Sequence, residues 1–183
     1  DTKQLKSATS LNDWTTTVTL ELPTVSKTEQ QPATQARKEE KPAPIAVKSG
    51  SYVIDQIGNK FTFMDGLSLK VGAETYTGVK DESANTYTFA TKDGKTYPDT
   101  VTYTAKNGDT PAQFTWNINK DVYAGTKVTL SYNLELTTRE KNPGTYGVED
   151  LKGNGQIEQG KTPIYTNEKA ALYIKEKENN QEK

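Results

Sequence analysis

Three residues in separate strand-like stretches could take part in one reaction: Lys6 in "LKSAT", Asp55 in "YVIDQIG" and Asn167 at the head of "NEKAALY". Asp55 has the strand parity of Val53 and Ile57, so its side chain is expected to point inward with theirs. Because an inward carboxylate is destabilising unless it is neutralised or paired, a partner is expected beside it.

Lys6 is a candidate partner, since it shares strand parity with Ala8, a small residue that leaves room for a buried amine. Burial lowers the pKa of a lysine and raises that of an aspartate, which favours a neutral amine beside a protonated acid. A neutral amine is a nucleophile, and the acid can polarise the side-chain amide of Asn167. Attack of Lys6 on Asn167 would expel ammonia and leave an isopeptide crosslink. Asp55 would act once, as an autocatalytic acid, so the chain is not expected to be an enzyme in the ordinary sense.

Other residues are open for the same roles. Lys3 is a second candidate nucleophile, and Asp65, Asp121 or Glu135 could be the acid if the strands are displaced by one residue. Asn167 has the parity opposite to that of the apolar residues that follow it, so it faces the core only if the strand twists or bulges there. The simpler interpretation of Asn167 is a strand-entry residue.

Composition excludes several kinds of site. The 183 residues contain no Cys and no His, which excludes disulfides, thiol catalysis, histidine relays and Cys- or His-ligated metals. With 23 basic and 24 acidic residues, the chain carries no net field to attract nucleic acid or an anionic membrane. It has no apolar run of membrane-spanning length. An apolar fraction of 32% and ten tyrosines are typical of an extracellular all-β module. The termini, "DTKQ" and "NNQEK", favour a fragment of a longer protein.

Alternating apolar and polar residues predict eight to ten strands and an Ig-like β-sandwich. Residues 1–23 should supply two strands, and residues 50–174 the remainder, including a hairpin with Asp93-Gly94 at its tip. Residues 24–49, rich in proline and charge, indicate a disordered linker at an insertion point. Residues 175–183 indicate a flexible tail. The fold is therefore expected to be assembled from two sequence segments.

No metal or other cofactor is expected. Asp150 and Asn154 make the loop "DLKGNGQIE" a weak metal candidate, but Lys152 and Lys161 stand where a calcium loop needs oxygen ligands. The stretch "DESAN" is predicted to be a polar turn.

A different function class is a module that binds host matrix or glycan. Trp14, Trp116 and the tyrosines could form a carbohydrate platform, and the Gly-rich loop at 142–161 could grip a ligand. Aromatic residues alternating along strands are more often core and cross-strand pairs, so the structural interpretation is favoured.

Four stretches also resemble a known family: "KSATSLNDWTTTVTLEL", "YVIDQIGNKFTF", "KVTLSYNLEL" and "GTYGVEDLKGNGQIEQGKTPIYTNEKAALY". They are similar to the isopeptide-forming, Cna-type domain of Gram-positive, streptococcal-type pilus-tip adhesins. The resemblance implies a crosslink between Lys6 and Asn167, assisted by Asp55. It also implies a cell-wall-anchored, extracellular surface or pilus protein whose partners are its own other domains and host matrix. In that family an inserted von Willebrand factor A domain occupies the position of the linker.

Overall fold

The computed structural model of the chain describes residues 6–9, 15–24, 43–58 and 61–136, and the backbone of short strands at 145–146, 157–158 and 170–173. Every regular element in these ranges is a β-strand. The strands are β1 Lys6–Ala8, β2 Thr15–Glu21, β3 Ile45–Val47, β4 Tyr52–Gln56, β5 Phe61–Val71, β6 Glu74–Asp81, β7 Thr86–Ala90, β8 Thr96–Thr104, β9 Gln113–Asn117, β10 Val122–Tyr123, β11 Val128–Leu136, β12 Thr145–Tyr146, β13 Ile157–Glu158 and β14 Ala170–Tyr173. The prediction of an all-β fold is confirmed. Across these ranges, no helix is long and apolar enough to cross a bilayer.

Ten strands form one antiparallel sheet in the order β1-β2-β11-β5-β6-β7-β8-β9-β4-β14. Two small ribbons, β10-β3 and β12-β13, lie outside it. The sheet is curled: Lys6 lies on the edge strand β1, yet its side chain contacts Asp55 on β4, next to the opposite edge. The curl therefore brings the first strand against the strand that precedes the last one in the sheet order.

The core lies on the inner face of this curled sheet, as strand alternation requires. In β2, Val18 and Leu20 are fully buried and pair with Tyr132 and Leu130 of β11. Trp116, Phe114 and Phe89 are the largest fully buried side chains. These aromatic residues thus serve as core, because their rings supply the buried apolar area that a Leu-poor and Ile-poor sequence lacks.

Strand β5 carries a bulge against β11. Phe63 pairs with Leu134 and Leu67 with Tyr132, so residues 64–66 stand opposite a single residue of β11. Asp65 within the bulge has a φ of 59°, a left-handed conformation that aspartate tolerates better than most residues.

The residues that flank the 25–42 segment are bound by two consecutive amides. The carbonyl of Thr24 accepts a hydrogen bond from the Gly125 amide at 2.7 Å, and the carbonyl of Pro44 accepts one from the Ala124 amide at 2.7 Å. Strand β3 follows and pairs with β10. β3 lies inside the 24–49 range that the sequence assigned to a linker, so residues 45–47 of that range form a strand.

Candidate functional site

Asp55 lies at the centre of the candidate site, on β4. The strand has exposed and buried residues in alternation, and Asp55 shares the buried face with Val53, both with no exposed surface. Its pairing partners are Phe114 on β9 and Ala170 on β14. The backbone of Asp55 therefore lies between two neighbouring strands, and its carboxyl group lies on the buried face of the sheet, away from water.

Lys6 reaches this carboxyl group from β1. The lysine pairs with Leu20 of β2, and only 7% of its surface is exposed. Its Nζ lies 2.7 Å from Oδ1 of Asp55 and donates a hydrogen bond to the carbonyl oxygen of Gln56 at 3.0 Å. At this distance Lys6 acts on the Asp55 carboxyl group through both its charge and a hydrogen bond, and both lower the pKa of Asp55.

Tyr132 of β11 completes the arrangement. Its hydroxyl donates a short hydrogen bond to Oδ2 of Asp55. Tyr132 is buried, with 2% of its surface exposed. The two oxygens of one carboxyl group thus face different partners, an amine at Oδ1 and a phenol at Oδ2.

Aromatic rings pack against Tyr132. Phe114 lies with its ring centroid 4.8 Å from that of Tyr132, and Phe63 lies 4.9 Å from Phe114. Such surroundings have a low effective dielectric constant, which makes separated charges costly and strengthens any hydrogen bond that forms.

Burial and the neighbouring side chains act on the pKa of Asp55 in opposite directions. Burial raises the pKa of Asp55 above its usual range, opposed by the charge of Lys6 and by the hydrogen bond from Tyr132. Burial and the neighbouring Asp55 raise the pKa of Tyr132 well above its usual range, so it remains a phenol. Lys6 and Asp55 titrate as one coupled pair, in which burial favours the protonated form of Asp55 and the charge and hydrogen bond of Lys6 oppose it.

Asn167, the third predicted residue, lies outside the described residues, as do Lys3, Trp14, Asp150 and Asn154. The backbone of β14 begins at Ala170, three positions after Asn167, and Ala170 pairs with Asp55. The last strand therefore runs directly beside the strand that carries the predicted acid. Within the part of the chain that the structure describes, acidic side chains form no cluster able to hold a metal ion.

The alternative acids lie in other places. Asp65 accepts a hydrogen bond from the Tyr87 hydroxyl at 2.7 Å, and Asp121 accepts one from the Ser49 amide at 2.8 Å. Glu135 lies on β11 opposite Thr15 and Thr62. The buried lysine contact is the one made by Asp55.

Sequence reasoning missed a second buried carboxyl group, Asp99 on β8. It is 1% exposed and accepts hydrogen bonds from Trp116 Nε1 and the Asn119 amide, both at 2.9 Å. Burial raises the pKa of Asp99 to about 6, although both hydrogen bonds and the charge of Lys120 act in the opposite direction. The sequence signal was a Pro-Asp step inside an otherwise alternating stretch.

In comparisons with known proteins, the chain matches no family model, no curated protein and no solved structure. The geometry of the buried pair and the resemblance of the quoted stretches are therefore the grounds for a functional proposal.

Proposed function

We propose that this chain is a structural module of a cell-wall-anchored surface adhesin or pilus tip, an Ig-like, Cna-type sandwich crosslinked by an isopeptide bond between Lys6 and Asn167. The observation that carries the proposal is the buried contact between Lys6 and Asp55, 2.7 Å from Nζ to Oδ1. A buried pair of lysine and aspartate is difficult to explain by stability alone, because hydrophobic residues of similar volume often stabilise a core equally well.

The reaction needs no cofactor. The neutral amine of Lys6 attacks Cγ of the Asn167 side chain while the Asp55 proton moves toward the amide oxygen. The tetrahedral intermediate then breaks its C–N bond, and the proton lost by the Lys6 nitrogen leaves with the amide nitrogen as ammonia. One C–N bond forms and one breaks, and Asp55 recovers its proton.

Strand pairing supports Asn167 as the acceptor. β14 lies at one edge of the sheet and pairs with β4 so that Ala170 is opposite Asp55. Lys6 lies on the strand at the other edge. A bond from Lys6 to a residue just before β14 would join the two edge strands beside the acid.

Such a bond would stabilise the folded state strongly. It would close nearly the whole chain into one loop, and chain-entropy arguments assign about 5 kcal/mol to a covalent tie over so long a loop. It would also oppose unfolding by force applied at the ends, which suits a stalk exposed outside a cell.

The proposed partners are other domains of the same surface protein and host matrix. Thr24 and Pro44 are bound by consecutive amides, which supports the interpretation of residues 24–49 as an insertion point. In the resembling family this is the position of a von Willebrand factor A domain. Host-ligand binding by the full-length protein is assigned to that domain rather than to this chain.

Intact mass of the denatured chain tests the proposal. We expect the wild-type protein to be lighter than its sequence by one ammonia, and peptide mapping to join the Lys6 and Asn167 peptides. Lys6→Arg, Asn167→Ala and Asp55→Ala should retain the full mass. The matched control is Lys70→Arg, an exposed lysine in the same sheet, which should still lose ammonia. A wild-type chain of full sequence mass would contradict the proposal.

A further inference from the structure

We propose that Tyr132 is a positioning residue for the crosslinking reaction. Its hydroxyl donates a hydrogen bond to Oδ2 of Asp55, which confines the transferable proton to Oδ1, the oxygen that faces Lys6. This inference rests on the proposed function and adds a residue to its machinery. Its basis is the division of the two carboxyl oxygens between two partners.

The division has a chemical consequence. A free carboxylic acid can carry its proton on either oxygen and can rotate about its Cβ–Cγ bond. With a phenol donating to Oδ2, a second proton on that oxygen would meet the phenol proton. Oδ1 faces the Lys6 amine at 2.7 Å, so it is the oxygen placed to take a proton from Lys6 and deliver it to an amide.

Tyr132 is suited to remain a donor. Burial and the charge of Asp55 hold the pKa of Tyr132 well above its usual range, so the phenol keeps its proton across the range in which lysine and aspartate titrate. Its ring is also fixed in place, since Phe114 packs at 4.8 Å and Phe63 at 6.0 Å between ring centroids.

The hydroxyl also sets the pH range of the reaction. Reaction requires that the pair of Lys6 and Asp55 share a single proton, so the rate should rise and fall with two apparent pKa values that belong to the pair. Tyr132 lowers the pKa of Asp55. Among the described residues the groups that act on this carboxyl are Lys6 from β1 and Tyr132 from β11, and its facing partner on β9 is the uncharged Phe114. Removal of the hydroxyl should therefore raise the pKa of Asp55 and move the high-pH limb of the rate profile to higher pH.

Tyr132→Phe is the test variant and Tyr87→Phe the matched control. Tyr87 is buried to the same degree, with 2% exposed, and its hydroxyl also donates to an aspartate, Asp65, at 2.7 Å. Each variant therefore loses one phenol hydroxyl and one hydrogen bond to a carboxylate. Only Tyr132→Phe loses the bond to Asp55.

The rate is measured on unlinked chain kept in denaturant from inclusion bodies and refolded by dilution across a pH series, with ammonia loss followed by intact mass. We expect Tyr132→Phe to crosslink about tenfold more slowly at the wild-type optimum, the effect of losing one hydrogen bond to a buried ionisable group, with the high-pH limb of its profile displaced to higher pH. Tyr87→Phe should follow the wild-type rate and profile.

The possible outcomes distinguish failure of the Tyr132 role from failure of the proposed crosslink. If refolded wild-type chain loses no ammonia at any pH, the proposed crosslink fails. If the wild type reacts but Tyr132→Phe matches Tyr87→Phe, or is slower with an unshifted profile, the positioning role of Tyr132 is overturned and the crosslink stands.

A second measurement applies if Tyr132→Phe does not fold. The unlinked Asn167→Ala chain should show a slowly exchanging, downfield hydroxyl proton signal from Tyr132 by NMR. The absence of that signal would overturn the inference.

Discussion

Three aspartates, Asp55, Asp65 and Asp99, accept hydrogen bonds from aromatic side chains on other strands. The donors are the hydroxyls of Tyr132 and Tyr87 and the indole nitrogen of Trp116. In a chain without His or Cys, an aromatic side chain with a polar tip can fill the core and satisfy a carboxyl group. Of these three aspartates, Asp55 is the one in contact with a buried lysine.

Asp99 makes stability depend on pH. Its pKa is about 6 in the folded chain, above the usual value of 3.8. Between these values the folded state holds a proton that the unfolded state has released. Stability should therefore be greatest below the lower value and fall as pH rises through the folded value. The loss is about 3 kcal/mol and levels off above about pH 7.

Asp99→Asn tests this dependence, since its side chain cannot ionise. We expect the fall in unfolding free energy between about pH 4 and pH 7 to be smaller than in the wild type, measured by urea denaturation at each pH. Asp55, whose pKa is also raised, contributes in the same direction, so the slope is reduced rather than abolished. The amide cannot accept from both Trp116 and Asn119 through one oxygen, which lowers stability by a similar amount at every pH. An unchanged slope would contradict the assignment to Asp99.

At the residue scale, strand parity was enough to predict that Asp55 points inward, and its side chain has no exposed surface. Parity could not predict Tyr132. Alternation assigns a residue to a face of its own strand, whereas contact between Tyr132 and Asp55 depends on how the whole sheet curls. Asn167 stays a prediction.

At the element scale, Gly78 on β6 permits close packing beside the β5 bulge. A Cβ added there would lie 3.1 Å from Cβ of Leu67 and 3.3 Å from Cδ2 of Tyr87. Both neighbours are buried, and Tyr87 is held by Asp65 in the bulge. A side chain at position 78 would therefore push against the bulge and its aromatic anchor.

We expect Gly78→Ala to lower the free energy of unfolding by about 1 to 3 kcal/mol, the usual effect of overpacking. The gain in strand propensity from replacing glycine opposes this but is smaller. Val79→Ala, at the next position on the same strand and 54% exposed, is the control and should change stability by less than about 1 kcal/mol. A Gly78→Ala chain as stable as the wild type would show that the bulge yields without cost.

Elements with a regular alternating pattern were predictable, and irregular ones were not. Alternation predicted β2 and β11, and the Asp93-Gly94 step predicted the hairpin between β7 and β8. β8 continues through Pro98 as one strand from Thr96 to Thr104, although a proline ordinarily interrupts a strand pattern. Its pairing with β7 shifts register there, because a proline fits a strand at a bulge, where its missing N–H is not needed.

At the scale of the whole molecule, the curl of the sheet decides which distant residues meet. Lys6 and Asp55 are 49 positions apart and belong to strands near opposite ends of the sheet order, yet their side-chain atoms lie 2.7 Å apart. Neither local propensity nor periodicity contains that information. Composition and alternation were enough to predict an all-β fold. The curl of the sheet follows from twist accumulated over its ten strands.

The approach of Thr24 to Pro44 is also a property of the whole molecule, because these residues on the two sides of the 25–42 segment are held by neighbouring amides. Since Ala124 binds Pro44 and Gly125 binds Thr24, a short connection should join the two sides without moving the sheet. We expect replacement of residues 26–41 by a short Gly-Ser turn to leave the fold intact and to raise the free energy of unfolding by about 1 kcal/mol, the entropy of closing a shorter loop. The measurement is urea denaturation of the Asn167→Ala chain with each connection.

A Gly-Ser segment of the original length is the matched control, because it changes composition without changing loop length. It should have the stability of the parent chain if residues 26–41 add nothing to the packing of the sheet. A loss of more than about 2 kcal/mol in both replacements would be too large for loop entropy, and would mean that the segment packs against the sheet. Stability retained in both would make this point a tolerant site for inserted domains, with the fold secured by the strands on either side of it.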